Sequence, residues 1–156
     1  MSNTQTDLQT DAQQKNAEQL VRAFESFESW EERYSFLISM GRKLPPLDDA
    51  DRTEENRVHG CQSNVWVVAH PQQQSGEEVI DFVADSDSTL VKGLIAILRK
   101  IYSGQTPSRV LAFDIEGLFE RLDLNQHLSM GRRNGLYGMV QRIKILAARH
   151  APNGTA

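Results

Sequence analysis

The chain of 156 residues contains a single cysteine, Cys61, and this thiol is its strongest candidate for covalent chemistry. It stands in the segment Val58-His59-Gly60-Cys61-Gln62-Ser63-Asn64-Val65-Trp66. Gly60 leaves the backbone before the thiol free to adopt a positive φ, and three polar residues follow before a strand-like run begins. The pattern therefore predicts a thiol in a turn, within reach of a reagent that another protein delivers. The competing interpretation is a small buried hydrophobic cysteine without reactivity.

Charge near Cys61 does not decide its reactivity. His59 and Arg57 favour the thiolate, whereas the acidic run from Asp48 to Glu55 opposes it. A lower thiol pKa raises the thiolate fraction but reduces the intrinsic nucleophilicity by a comparable factor. We therefore expect access to the thiol and the geometry of a partner to govern its rate.

The count of thiols and the spacing of histidines restrict the function. One cysteine forms no internal disulfide and does not supply the several thiolates of a structural zinc site or an iron–sulfur scaffold. The four histidines, at positions 59, 70, 127 and 150, show no ligand spacing, so we expect no metal. The rival catalytic interpretation is a thiol hydrolase or transferase, with Cys61 as nucleophile, His127 as base and Asn125 or Asn134 as the orienting residue.

Apolar residues recur at helical spacing on both sides of the cysteine segment. They predict a helix through Leu20 and Phe27 and a second helix that Ser29 caps and that ends before Pro45. Further helices are predicted around Leu90–Ile101, ended by Gly104, and about Arg132–His150, with two shorter helices between them.

Two runs between these helices have the composition of strands. Val65–Ala69 and Val79–Val83 are rich in β-branched residues, and a loop from Pro71 to Gly76 joins them. A short strand at Arg57-Val58 completes a three-stranded antiparallel sheet, with Cys61 in the turn. The sequence thus predicts an α+β fold in which a small antiparallel sheet packs against helices.

The length and composition indicate one domain. We expect that domain to span residues 15–150, between a disordered extension at 1–14 and a disordered tail at 151–156. No apolar run approaches a membrane span, and the beginning of the chain has no apolar signal-peptide core. Together with the single free thiol, this favours a cytoplasmic protein.

Acidic and basic residues are distributed unevenly. All 21 acidic residues lie at or before Asp123, and the rest of the chain carries five basic residues: Arg132, Arg133, Arg142, Lys144 and Arg149. A nucleic-acid site is one interpretation, but the overall acidity and the scarcity of aromatic residues there favour the solvated face of a terminal helix. We expect no nucleic-acid partner.

Residues from Phe24 to the last helix resemble one known family. The cysteine segment is similar to the sulfur-acceptor loop of the SufE family, whose close relative is CsdE. Three further segments resemble that family in the same order: Trp30-Glu31-Glu32-Arg33-Tyr34 with Met40-Gly41-Arg42-Lys43-Leu44-Pro45, then Asp85-Ser86-Asp87 with Leu90-Val91-Lys92-Gly93-Leu94, then Leu128-Ser129 through Arg132 with Gly135-Leu136. The resemblance does not cover the residues before about Leu20 or the C-terminal tail.

The resemblance implies a specific role. The fold would be that of SufE and of the IscU-type scaffolds, and Cys61 would accept a persulfide sulfur from a cysteine desulfurase of the SufS or CsdA type. The acceptor would stimulate the desulfurase and pass the sulfur to a SufB-type scaffold for iron–sulfur cluster assembly. The pyridoxal phosphate belongs to the desulfurase, so no cofactor is expected here, and the chain would be a monomer or a weak homodimer.

The matched segments also suggest residues for contact with the partner. These are His59, Gly60, Gln62, Asp85 and Arg132. The alternative for the acidic pair Asp85 and Asp87 is a helix start, with Ser86 or Asp87 as the cap. We favour the helix-start role for that pair.

Overall fold

The computed structural model describes residues 4–151, with side chains from residue 12 on. It confirms a mixed α+β architecture in which helices pack on a sheet. The elements are α1 (Thr4–Ser26), α2 (Trp30–Arg42), β1 (Val65–Gln74), β2 (Glu77–Ser86), α3 (Thr89–Tyr102), α4 (Pro107–Ala112), α5 (Ile115–Arg121), α6 (Leu124–His127) and α7 (Met130–Arg149). None of the helices in the described part is both long enough and apolar enough to cross a membrane.

The sheet has two strands in the described part of the chain, so the prediction of three strands is wrong. β1 and β2 pair in antiparallel register from Val65 opposite Ser86 to Gln74 opposite Glu77. The expected third strand is reduced to one isolated bridge between Arg57 and Trp66. The residues before Arg57 form turns, and the chain reverses soon after it at Gly60, so no room remains for a ladder.

The hairpin between the strands is longer than the sequence predicts. The turn is confined to Ser75 and Gly76, both at positive φ, and the strands include the residues from Pro71 on that we assigned to a loop. Pro71 lies opposite Ile80, whose backbone groups bond to Gly104 and Gln105 on the other side of β2. Pro71 and Ile80 therefore form a non-hydrogen-bonded pair. The missing N–H of Pro71 thus removes no hydrogen bond from the ladder between β1 and β2.

Helix α3 lies at the centre of the core and carries a long run of buried residues. It crosses α2 at close range, because a Cβ on Gly41 would lie 2.7 Å from the backbone nitrogen of Gly93. The helix signals of the sequence are confirmed here: Ser29 caps α2 by accepting from the amide of Glu32, and α3 ends before Gly104 at φ +81°.

Part of the segment 1–14 that we expected to be disordered lies in helix α1. Helix α1 begins at Thr4, and Gln13 is buried with its amide donating to the carbonyl of Ile101. The later part of α1 is held in the core by Ala17, Leu20, Val21 and Phe24, and packing of this kind stabilises a helix more than local propensity does. Residues 1–3 and residues 152–156 of the expected tail lie outside the described part of the chain.

Candidate functional site: a thiol on a loop over a glycine-lined helix

Cys61 lies in a six-residue loop, His59–Asn64, which we call the Cys61 loop. The amide of Val58 donates to the carbonyl of Val65 at 2.8 Å and closes the base of the loop. Gly60 has φ +86° and open space around it, so it supplies the left-handed conformation that the sequence predicts before the thiol. The prediction of a thiol in a turn is confirmed.

The far end of the Cys61 loop is held by Asp87. One oxygen of the Asp87 carboxylate accepts from the backbone amide of Asn64 at 3.1 Å, and the other accepts from its side-chain amide at 2.8 Å. The amide of Asp87 in turn donates to the carbonyl of Asn64. Three hydrogen bonds thus join the loop to the segment that leads into α3.

Glycines of α7 form the surface beneath the loop. Gly131, Gly135 and Gly138 follow the i, i+4, i+7 spacing of one helix face. A Cβ on Gly135 would lie 3.3 Å from the Cys61 sulfur, and one on Gly138 would lie 3.5 Å from a methyl of Val58. Because these positions carry no side chain, the thiol sits directly against the helix backbone.

The Cys61 thiol is partly buried and points at α7. Its sulfur donates a weak hydrogen bond to the carbonyl of Gly135 at 3.7 Å. Burial raises the pKa of the thiol above its ordinary value, and the positive charge of Arg57 opposes that shift without cancelling it. In the free protein the neutral thiol is therefore favoured over the thiolate at neutral pH.

A small cavity of about 20 Å³ lies beside the thiol. Its walls are mainly apolar side chains of β1, α3 and α7, namely Val65, Val91, Leu94, Leu136 and Met139. A cavity of this volume holds about one atom of the size of a water molecule. The cavity therefore has room for one additional atom next to the Cys61 sulfur.

The charged residues before the loop are exposed. His59 pairs with Glu54 at 3.1 Å, with both side chains about 70% exposed, and Arg57 lies 3.6 Å from the same carboxylate. Exposed pairs of this kind contribute little to stability. His59 is thus available on the surface of the loop, as is the side chain of Gln62.

The helix-start prediction for Asp85 and Asp87 is wrong. Ser88 caps α3 by accepting from the amide of Val91 at 3.3 Å, and Asp85 is in β2. The strand continues beyond Val83 to Ser86, which moves the helix start past the acidic pair. The apolar pattern ended the predicted strand too early, because a hydrogen-bonded ladder does not need an apolar side chain at every position.

Asp85 is paired with two cations and is only partly exposed to solvent. Arg52 approaches it to 2.7 Å and Lys92 to 3.6 Å, with 18% of the Asp85 side chain exposed. Burial opposes ionisation of Asp85, but the hydrogen bonds from Arg52 and the Ser86 amide, with the charge of Lys92, hold its pKa below the usual value. A structural role for this carboxylate is evident from these contacts.

Arg132 lies in the first turn of α7 and borders the cavity beside Cys61. Its guanidinium donates to the hydroxyl of Ser88 at 3.2 Å, which connects α7 to the start of α3. The structure therefore brings together the Cys61 loop and Arg132, whereas Asp85 is engaged by Arg52 and Lys92 on another face of α3.

Cys61 and His127 do not form the catalytic dyad that a thiol hydrolase would need. The ring of His127 stacks on Trp30 with centroids 4.1 Å apart, and its Nδ1 lies 3.2 Å from the carbonyl of Asp123. Within the described side chains, Cys61 forms no hydrogen bond with His127, and Asn125 accepts from the hydroxyl of Tyr137 instead. No group of three or more metal-ligating side chains is present among residues 12–151.

Sequence reasoning missed the contribution of the α7 glycines and of Asp87 to the Cys61 loop. The glycine spacing was visible in the sequence as an i, i+4, i+7 pattern, which places three positions without side chains on one helix face and so permits a close backbone approach. The pairing of Asp87 with Asn64 had no such signal, because the two residues lie 23 positions apart.

These features define a class of protein: an α+β domain with one thiol on a loop packed against a glycine face of its last helix. The family model of SufE, described as an Fe-S metabolism associated domain, matches residues 18–147, and the chain belongs to that family. Its role accordingly lies in iron–sulfur metabolism and sulfur transfer.

A solved structure has a similar fold. It is described as the solution structure of a hypothetical protein from Thermus thermophilus, with a TM-score of 0.67 and 23% sequence identity. The match covers 86% of this chain and 95% of that chain. At this level of identity the likeness concerns the fold alone.

Proposed function

We propose that Cys61 accepts a persulfide sulfur from a pyridoxal-phosphate-dependent cysteine desulfurase and passes it on for iron–sulfur cluster assembly. The observation that carries this proposal is the placement of the chain's single cysteine in a loop with a closed base and a glycine hinge, within a domain of the SufE family. The acceptor after Cys61 would be a scaffold of the SufB type. The pyridoxal phosphate stays on the desulfurase.

The transfer itself is a thiol exchange. The Cys61 thiolate attacks the terminal sulfur of the donor persulfide, a new S–S bond forms on Cys61, and the donor's S–S bond breaks. The donor cysteine leaves as a thiolate, and the terminal sulfur keeps its proton, so charge and atoms balance without an external oxidant. The second transfer repeats the same exchange, with Cys61 now the leaving thiolate.

We propose that the closed loop keeps the Cys61 thiol unreactive until a donor binds. Burial favours the neutral thiol, and the hydrogen bond to Gly135 directs the sulfur toward α7. We propose that the desulfurase draws the Cys61 loop outward about Gly60, which exposes the sulfur and removes the desolvation that raises its pKa.

The cavity beside Cys61 gives the transferred sulfur a protected position. A persulfide is reduced by cellular thiols and oxidised when it is left in solvent. The space of about 20 Å³ between Val91, Leu94 and Leu136 matches one added atom. After the loop returns, the terminal sulfur would occupy this cavity until the next acceptor displaces the loop again.

Stimulation of the desulfurase tests this function. A SufS-type desulfurase is incubated with free cysteine and this protein, and the alanine formed is measured over time. Wild-type protein should accelerate alanine formation, because Cys61 removes the sulfur that blocks the donor cysteine. The Cys61→Ser variant, which keeps the loop but lacks the thiol, should not. Equal acceleration by both proteins would contradict the relay.

Two other interpretations of Cys61 predict results that differ from those of the sulfur relay. A thiol hydrolase would release product from a small thioester without any desulfurase, and the contacts of His127 with Trp30 and Asp123 do not favour it. An interaction module with an inert cysteine would resist labelling of Cys61 by a thiol reagent even in the presence of the desulfurase.

A further inference from the structure

Two large apolar side chains are exposed in the described part of the chain, Met130 with 68% of its surface accessible and Ile145 with 49%. Single apolar residues on a surface are ordinary, so exposure alone carries no argument. Their positions differ, however. Met130 is the first residue of α7, whereas Ile145 lies about 22 Å further along the same helix at 1.5 Å per residue.

Met130 is next in sequence to Gly131, the α7 residue that lies against the Cys61 loop. A Cβ on Gly131 would lie 2.6 Å from the side-chain amide of Gln62. Because successive residues of a helix are about 100° apart, Met130 and Arg132 lie on the two sides of Gly131. Arg132 is turned toward Ser88, which leaves the Met130 side free of protein contacts that would bury it.

We propose that Met130 is a docking residue for the sulfur donor, and that its side chain is buried against apolar surface of the desulfurase when the two proteins bind. This inference rests on the proposed function. Sulfur exchange requires the donor persulfide to reach bonding distance of Cys61, so the donor must cover the surface around the Cys61 loop. Of the two large apolar side chains exposed in the described part of the chain, Met130 is the one beside the glycine that contacts the Cys61 loop.

The chemistry of methionine suits this role. Its unbranched, polarizable side chain adapts to an irregular apolar surface, and methionine is enriched at protein interfaces. Burying a methionine side chain corresponds to about tenfold or more in affinity. Ser129, which caps α7 at 3.2 Å from the amide of Arg132, holds the first turn in place whatever the side chain at position 130.

The experiment measures the dissociation constant of the full chain and a SufS-type desulfurase by calorimetry. Four proteins are compared: wild type, Met130→Ser, Met130→Leu and Ile145→Ser. Met130→Ser removes the apolar contact, Met130→Leu restores an apolar side chain of similar volume, and Ile145→Ser is the matched control on the same helix. Melting temperatures of all four establish that the exposed substitutions leave the fold intact.

The inference predicts that Met130→Ser raises the dissociation constant about tenfold or more, while Met130→Leu and Ile145→Ser stay near wild type. Equal affinities of Met130→Ser and wild type would overturn it, as would an equal loss in Ile145→Ser. A wild-type protein that is dimeric in solution through Met130, and monomeric as Met130→Ser, would assign the surface to a second copy instead. Absence of any binding by the wild type would overturn the proposed function, and this inference with it.

Discussion

The sulfur of Cys61 lies 3.7 Å from the carbonyl oxygen of Gly135, 74 residues later in the chain. This contact places the reactive atom against the backbone of α7 instead of in solvent. It exists because Gly135 has no side chain, since a Cβ there would approach the sulfur to 3.3 Å. The sheltered position of the thiol is thus a property of the helix as much as of the loop.

Substitution of Gly135 by alanine should expose Cys61. The new methyl group makes a contact tighter than normal with the sulfur, so the Cys61 loop must move outward by a few tenths of an ångström or more. Alkylation of Cys61 by iodoacetamide in the free protein should become faster. The helix itself gains from alanine by about 1 kcal/mol in intrinsic propensity, so the melting temperature should not fall sharply.

Gly138→Ala is the matched control for that substitution. Its Cβ would lie at an ordinary distance of 3.5 Å from Val58 and does not meet the sulfur. Alkylation in Gly138→Ala should therefore stay near the wild-type rate. An unchanged rate in Gly135→Ala, or the same acceleration in both variants, would show that the glycine at 135 does not control access.

The pH dependence of alkylation should report the burial of Cys61. Because burial raises the pKa of the thiol, the rate in the folded protein should inflect above the ordinary thiol value of about 8.5, and the unfolded protein should inflect near it. Arg57→Gln removes the opposing positive charge and should move the inflection higher still. An inflection below about 8.5 in the folded protein would contradict the desolvated thiol.

The same shift has a consequence for stability. A thiol whose pKa is raised on folding contributes stability that is present below the unfolded pKa and is lost as the pH rises through the folded pKa. The wild type should therefore lose stability in alkaline solution relative to Cys61→Ser, which has no titrating thiol. Chemical denaturation on both sides of about pH 8.5 measures this difference.

The pair Asn64–Asp87 should control the mobility of the Cys61 loop. Asp87→Ala removes acceptors for two hydrogen bonds from Asn64, so hydrogen exchange within His59–Asn64 should become faster. Asn64→Ala removes one of the two, because its backbone amide still donates to Asp87, and its effect should be smaller. Equal exchange in wild type and Asp87→Ala would show that other contacts hold the loop.

Short-range sequence signals predicted the turn at Cys61, the helix cap at Ser29 and the end of α3 before Gly104. Each of these depends on residues a few positions apart, so the chain itself contains the signal. The extent of β1 and β2 was underestimated, since a two-residue turn at Ser75-Gly76 and backbone pairing continue the strands through polar residues such as Gln74. Those residues carry no apolar pattern.

The sequence predicted the nucleophile of the site, but it did not predict the residues that shelter and hold the Cys61 loop. Cys61 is the chain's single thiol and was found from its type and its neighbours. The contacts that shelter it come from Gly135 and Asp87, which reach the loop only after α3 and α7 have packed. Likewise Asp85 resembled a helix-start residue in sequence, whereas Arg52, from a distant loop, holds it in the strand.

The mass of the intact protein after reaction with its donor tests the central claim most directly. Wild-type protein is incubated with a SufS-type desulfurase and free cysteine. It is then separated from the desulfurase, and its intact mass is measured by mass spectrometry. The relay predicts a gain of one sulfur atom, its removal by a reductant such as dithiothreitol, and no gain in Cys61→Ser. A Cys61→Ser protein that still gains sulfur, or a wild type that gains none while the desulfurase turns over, would contradict the account.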